Sequence, residues 1–148
     1  MNSFTKILCP IDLSENSKAA IALASSLAKL AAAKLIFVHV GPPPLPREVS
    51  FAAGELEALM ARHQEQLSEI NATESGIDVD HVILQGDAAE EVLKYAEEEM
   101  CDLIVLSTHG RSGITRLLMG SVAESIVRHS KIPVLSVRYP DGTIKESE

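Results

Sequence analysis

Five short apolar runs alternate with amphipathic stretches along the chain. The first, FTKILCP at 4–10, begins as an apolar–polar alternation and ends on an apolar pair before a proline, which reads as a strand. In KAAIALASSLAKLAAA at 18–33, Ile21, Ala24, Leu27, Ala28 and Ala31 share one face at helical spacing, after a run of N-cap residue types, Ser14-Glu15-Asn16-Ser17. KLIFVHV at 34–40 is almost continuously apolar, as in a strand buried on both faces of a parallel sheet, and GPPPLP stops it. Leu56, Leu59, Met60, His63, Leu67 and Ile70 then mark a long amphipathic helix over about 50–74. IDVDHVILQ at 77–85 is a third strand, broken by Gly86. Asp87-Ala88-Ala89-Glu90 has capping-box spacing and opens the helix EEVLKYAEEE. A fourth strand at 103–107 follows Asp102. Then come a glycine-rich connection, the helix SVAESIVRHS, a fifth strand at 132–138 and a polar tail at 139–148.

Strands alternating with helical connections imply an α/β fold, a five-stranded parallel sheet with helices on both faces. Ligands bind such sheets beyond the C-terminal strand ends, where the winding reverses. Order 3-2-1-4-5 brings Asp12 beside Ser107-Thr108-His109-Gly110, and order 2-1-3-4-5 brings it beside Gln85-Gly86-Asp87. The turn after strand four is the richer in glycine and hydroxyls, which favours 3-2-1-4-5.

That turn carries Gly110, Gly113 and Gly120, three of the chain's eight glycines. Glycine lets a backbone approach a ligand with its N–H groups outward, and a turn from Thr108 to Gly113 can form a concave donor nest. Ser121-Val122-Ala123-Glu124 has capping-box spacing, so Ser121 is expected to cap the next helix, whose N-terminus supplies a second donor set. Two such sets can cradle a polyphosphate. The plainer alternative is that Gly110 and Gly113 only make a turn and Gly120 only ends a short helix, ITRLLM. Neither GxxxxGK[ST] nor a glycine-bearing loop after strand one is present.

Composition narrows the picture. The chain has 148 residues, a common size for one domain, and the reading is a single domain over 1–148. The net charge of −8 argues against non-specific nucleic-acid or anionic-membrane binding. Aromatics are too few for a base-stacking platform. Over 107–138, however, Arg111, Arg116, Arg128, Lys131 and Arg138 face only Glu124, which is either a local anion site or a solvated face. Cys9 and Cys101 sit in or beside apolar runs and read as buried free thiols. No apolar run is long enough for a membrane span and the N-terminus lacks a signal-peptide pattern, so a cytoplasmic location is expected.

Four segments together, CPIDLSENS, VHV, QGDAAEEV and STHGRSGITRLLMGSVAESIVRHSKIPVLSVR, make the chain resemble the universal stress proteins over nearly its whole length. Nucleotide-binding members of that family carry G-x2-G-x9-G-[ST]. Gly110, Gly120 and Ser121 match its latter part, and Ser107 stands at its first glycine. The resemblance implies a Rossmann-like, adenine-nucleotide alpha-hydrolase-like fold of order 3-2-1-4-5, with ATP or AMP lying across strands one and four. It implies that Asp12 contacts ribose or adenine, that Pro10, Ile11 and Val40 line the base pocket, and that Gly110, Gly120, Ser121 and Val122 bind phosphates. Ser107, Thr108, Arg111 and Gly113 join the candidate list from the turn itself, with Arg116 behind them. Mg²⁺ or Mn²⁺ would come with the phosphates. The family also implies a homodimer, often through antiparallel pairing of the last strands, here from Ile132 to Arg138. An exposed apolar edge strand is an association hazard unless used.

The remaining candidates carry less. His109 invites a catalytic role, but no Ser–His–Asp or Cys–His set assembles around it in the sequence. His39 is expected to pack in the sheet or at its end, His63 to face solvent or an interface, and Glu97-Glu98-Glu99 to be a solvated face. No spacing suggests zinc. A phospho-acceptor receiver needs a pair of acids after strand one and a lysine after strand five. The chain has only Asp12 at the first place and Arg138-Tyr139 at the second. Three functions stay in competition: a nucleotide-binding regulatory protein with little or no hydrolysis, a dimeric interaction module with a vestigial site, and a slow ATPase.

Overall fold

The computed structural model describes residues 4–44, 53–108 and 120–138. Five strands, β1 (Lys6–Pro10), β2 (Lys34–Gly41), β3 (Val79–Gln85), β4 (Leu103–Thr108) and β5 (Val134–Arg138), form one parallel sheet of order β3-β2-β1-β4-β5. The helices are α1 (Lys18–Ala31), α2 (Ala53–Ser68), α3 (Ala88–Glu98) and α4 (Ser121–His129).

Strand alternation divides the core in two. Ile7, Cys9, Leu35, Phe37, Leu103 and Val105 point to one face, beneath Ala20, Ala24 and Ala28 of α1 and Leu67 of α2. Leu8, Ile36, Val38, Ile104 and Leu106 point to the other, beneath Ala89, Val92 and Ala96 of α3 and Ala123 and Ile126 of α4. Alanine recurs at every fourth position of α1, so that helix lies close on the strands. Phe37 is fully buried in the central strands, and truncating it to alanine would cost about 3–5 kcal/mol.

The observed elements differ from the periodicity at their ends. β1 starts at Lys6 because the Thr5 and Lys6 N–H groups donate to Asp102 Oδ2 at 2.7 and 2.9 Å. β5 starts at Val134: Pro133 has no N–H to give, and the Ile132 N–H donates to Ser130 Oγ. In α1 the fully buried positions are Ala20, Ala24, Ser25 and Ala28, with Ile21, Leu27 and Ala31 only partly covered. Ser25 is tolerated there because its hydroxyl donates to the Ile21 carbonyl at 2.7 Å and accepts from the Thr73 N–H at 3.0 Å. α1 stops at Ala31 because Ala32 turns left-handed at φ 55°. Both cysteines are buried and free. Burial raises the Cys9 thiol far above its ordinary value and pushes Cys101 up to about 11, so both stay protonated at neutral pH.

Candidate functional site

The chain turns back past β1, so β2 lies on one side of it and β4 on the other. A cleft of about 340 Å³ opens at the C-terminal ends of these strands. Its floor and walls come from Pro10, Ile11 and Asp12 after β1, from Val38, His39 and Val40 of β2, and from Leu106 and Ser107 of β4. Gly120, Ser121, Val122, Ala123 and Ile126 close it from α4, Ala88 and Val92 from α3, and Ser17 from before α1.

The turn after β1 is wired by side chains. Asp12 Oδ1 accepts from the Ser14 N–H at 2.9 Å, the Ser14 hydroxyl at 2.7 Å and the Ser17 hydroxyl at 2.9 Å. Ser17 Oγ accepts in return from the Asp12 N–H at 3.2 Å. Ser14 Oγ accepts from the Asn16 N–H at 3.1 Å and caps a single 3-10 turn, Glu15–Ser17, that leads into α1. Within this web Leu13 is held at φ 67°, a left-handed conformation that costs a leucine about 1–2 kcal/mol. Asp12 thus anchors its turn and lines the cleft at once.

Ser107 has a task the sequence did not reveal. Ser17 makes no side-chain cap on α1. Instead Ser107 Oγ, reaching across from β4, accepts from the Ala20 N–H at 3.2 Å. The hydroxyl fastens the start of α1 to β4 at the mouth of the cleft.

The opposite wall is backbone. Gly120, not Ser121, is the N-cap of α4, in an extended conformation with no side-chain cap bond, and Ser121 is the first helical residue. The capping role expected of Ser121 is therefore corrected: the Glu124 N–H closes the first helical bond on the Gly120 carbonyl at 2.9 Å, one residue earlier. The N–H groups of Ser121, Val122 and Ala123 precede that bond and have no partner within the helix. They carry the positive end of the helix dipole toward the cleft.

Eight of the sequence-predicted site residues meet around this cleft: Pro10, Ile11, Asp12, Val40, Ser107, Gly120, Ser121 and Val122. Thr108 does not join them. It is buried in β4 opposite Arg138 and is not among the described lining residues. Gly110, Arg111 and Gly113, with His109 and Arg116, lie outside the described residues. Two cations of that stretch are paired away from the cleft: Arg128 with Glu124 at 2.6 Å and Lys131 with Glu97 at 3.0 Å. No lysine or arginine stands among the described lining residues. Ala88 and Val92 were missed. Their i, i+4 spacing marked the inner face of α3, but not that this face reaches the cleft. Nor did the sequence pair His39 with His63, whose Nδ1 lies 3.2 Å from His39 Nε2. Among the described residues no cluster of His, Cys, Asp or Glu could hold a metal, and no helix is long and apolar enough to cross a membrane.

Comparison with known proteins places this architecture. Residues 3–138 match the family model of the universal stress protein family. Universal stress protein MJ0531 of Methanocaldococcus jannaschii is 34% identical over 145 residues, covering 94% of this chain and 85% of that one. The solved structure of MJ0577 from the same organism is 28% identical with a TM-score of 0.74, covering 95% of this chain and 99% of that one. A universal stress protein solved in complex with cAMP is 22% identical with a TM-score of 0.62, covering 94% and 100%, a likeness of fold alone. With a family match over nearly its whole length and a relative above 30% identity, the chain belongs to the universal stress protein family.

Proposed function

We propose that this protein binds an adenine nucleotide, ATP or AMP, in the cleft between β1 and β4, and serves as a dimeric regulatory protein of the stress response with little or no hydrolysis. The observation that carries this reading is one cleft with an apolar end and a donor end. Pro10, Ile11, Val38 and Val40 offer walls for a flat base, and the open N-terminus of α4 faces the same space. The donor chemistry fits phosphate, an anion that helix N–H groups hold without a lysine. Asp12, fixed by its turn, is positioned for a ribose hydroxyl or the base amine. Gly120, Ser121 and Val122 would meet phosphate, with Gly110, Arg111 and Gly113 contributed from the turn after β4. Mg²⁺ or Mn²⁺ would be held by the phosphates rather than by a protein cage. The fold itself accommodates an adenine nucleotide in the relative solved with cAMP.

β5 is an edge strand on which Leu135 is 38% exposed, and this supports a homodimer through residues 132–138. Light scattering would register it. Calorimetry with ATP and AMP, in the presence of Mg²⁺, on protein stripped of carried-over ligand, tests the main reading. Micromolar binding that raises thermal stability is expected. No binding at millimolar ligand would favour the interaction module with a vestigial site, the reading that Ser107 at the motif's first glycine supports.

A further inference from the structure

His39 is buried in β2 and lines the cleft. In a parallel ladder every second residue turns its N–H and C=O to the same neighbouring strand. Along β2, Lys34 and Val38 bond toward β1: the Lys34 N–H donates to the Thr5 carbonyl at 2.9 Å, and the Val38 carbonyl accepts from the Ile11 N–H at 2.7 Å. Leu35 and Gly41 bond toward β3, through the Asp78 carbonyl and the Gly86 N–H. Val40 is two residues on from Val38, so its N–H points to β1, and its regular acceptor is the Ile11 carbonyl. Among the described residues that bond is not made. The carbonyl instead accepts from His39 Nδ1 at 2.8 Å. A carbonyl cannot donate, so Nδ1 carries the proton of this bond.

The ring is held on its far side as well. His39 Nε2 lies 3.2 Å from Nδ1 of His63 on α2, and the two rings meet edge to face, centroids 4.8 Å apart at 88°. α2 is seated there by Met60, which packs on Gly41 where even a Cβ would stand 2.5 Å from its sulfur, and by Leu67, buried in the core. We infer that His39 is a positioning residue for the base end of the cleft: its imidazole takes the Ile11 carbonyl out of the β1–β2 ladder, which keeps the two strands from zipping one rung further and leaves the Val40 N–H to the cleft. The side chains of Pro10, Ile11 and Val40 are apolar, so this N–H is a donor that a base bearing a ring acceptor would meet at that end. Without the imidazole, the Val40 N–H and the Ile11 carbonyl face each other across adjacent strands, and the ladder bond satisfies both.

The link to ligand rests on the nucleotide reading; the open rung does not. His39→Phe keeps a ring but has no donor, and His39→Asn places an amide N–H group close to where Nδ1 stands. Amide exchange of Val40 is followed in the full-length protein without ligand, and AMP is titrated by calorimetry. Val40 is expected to exchange rapidly in the wild type, to slow by about tenfold or more in His39→Phe and to be rapid again in His39→Asn. AMP affinity is expected to fall about tenfold in His39→Phe and to return to within about threefold of the wild type in His39→Asn, a rescue that lost packing alone would not give. A Val40 amide already slow in the wild type, or equally fast in His39→Phe, overturns the open rung whatever binds. A Val40 amide that slows while AMP affinity holds overturns its link to the ligand. A wild type that does not bind AMP removes the nucleotide reading and the link with it, and amide exchange still decides the rung. Should His39→Phe fail to fold, ¹⁵N spectra of the wild-type imidazoles decide: a proton on His39 Nδ1 supports the bond to Ile11, and a proton on Nε2 alone overturns it.

Discussion

The two walls of the cleft are built on opposite principles. The turn after β1 has no glycine and is fixed by side chains: three donors converge on Asp12 Oδ1, and Ser107 reaches over to hold the start of α1. The wall at α4 is bare backbone, capped by Gly120 with no side-chain bond. A ligand on the first wall meets a charge whose position costs strain at Leu13. A ligand on the second meets N–H groups that need only room. Damage to the first wall should therefore appear in both stability and binding, and damage to the second in binding alone.

The largest effect expected from this contrast is at the bare wall. Gly120 has negative φ, so a side chain there costs the backbone little, yet Gly120→Arg would fill the donor end. Adenylate affinity is expected to fall by about 100-fold or more, about 2.7 kcal/mol, with an unchanged melting temperature. Equal affinity in calorimetry would remove the α4 N-terminus from the site. Next comes Asp12→Ala on the wired wall. Losing an acceptor shared by three donors should lower stability by about 1–3 kcal/mol and weaken binding together. A denaturation midpoint unchanged alongside lost binding would show that the carboxylate serves the ligand and not the turn.

How legible this contrast was in the sequence depends on the kind of bond that makes each wall. The order β3-β2-β1-β4-β5 was readable because a glycine-rich strand end must lie where a ligand can approach. The apolar runs gave the strands because parallel strands are covered on both faces. Gly120 and Asp12 were readable as residue types in place. What escaped was contact across sequence. Ser107 accepts from Ala20, 87 positions away, and His39 meets His63, 24 positions away. No local pattern encodes either pair, since each depends on how a helix settles on the sheet. The Ser121 cap failed for a different reason: an S-x-x-E spacing is satisfied equally well when the serine stands one residue inside the helix.

The smaller predictions separate the parts of the wired wall. Ser107→Ala removes the acceptor for the third N–H of α1, equivalent to losing a helix cap, and should cost about 1 kcal/mol in chemical denaturation. Ser107→Thr keeps the oxygen and should recover most of that loss. An alanine variant as stable as the wild type would mean that the bond to Ala20 holds nothing in place. The finest test concerns Leu13. Its side chain packs at the edge of the α1 core, so any truncation loses similar packing, but only glycine is at ease at φ 67°. Leu13→Gly should therefore be more stable than Leu13→Ala by about 1 kcal/mol, although glycine lowers stability relative to alanine wherever φ is ordinary. If alanine proved the more stable, the left-handed turn would not persist in solution. Asp12 Oδ1 would then have lost the geometry that gathers its three donors, and the contrast between the two walls would reduce to one of composition.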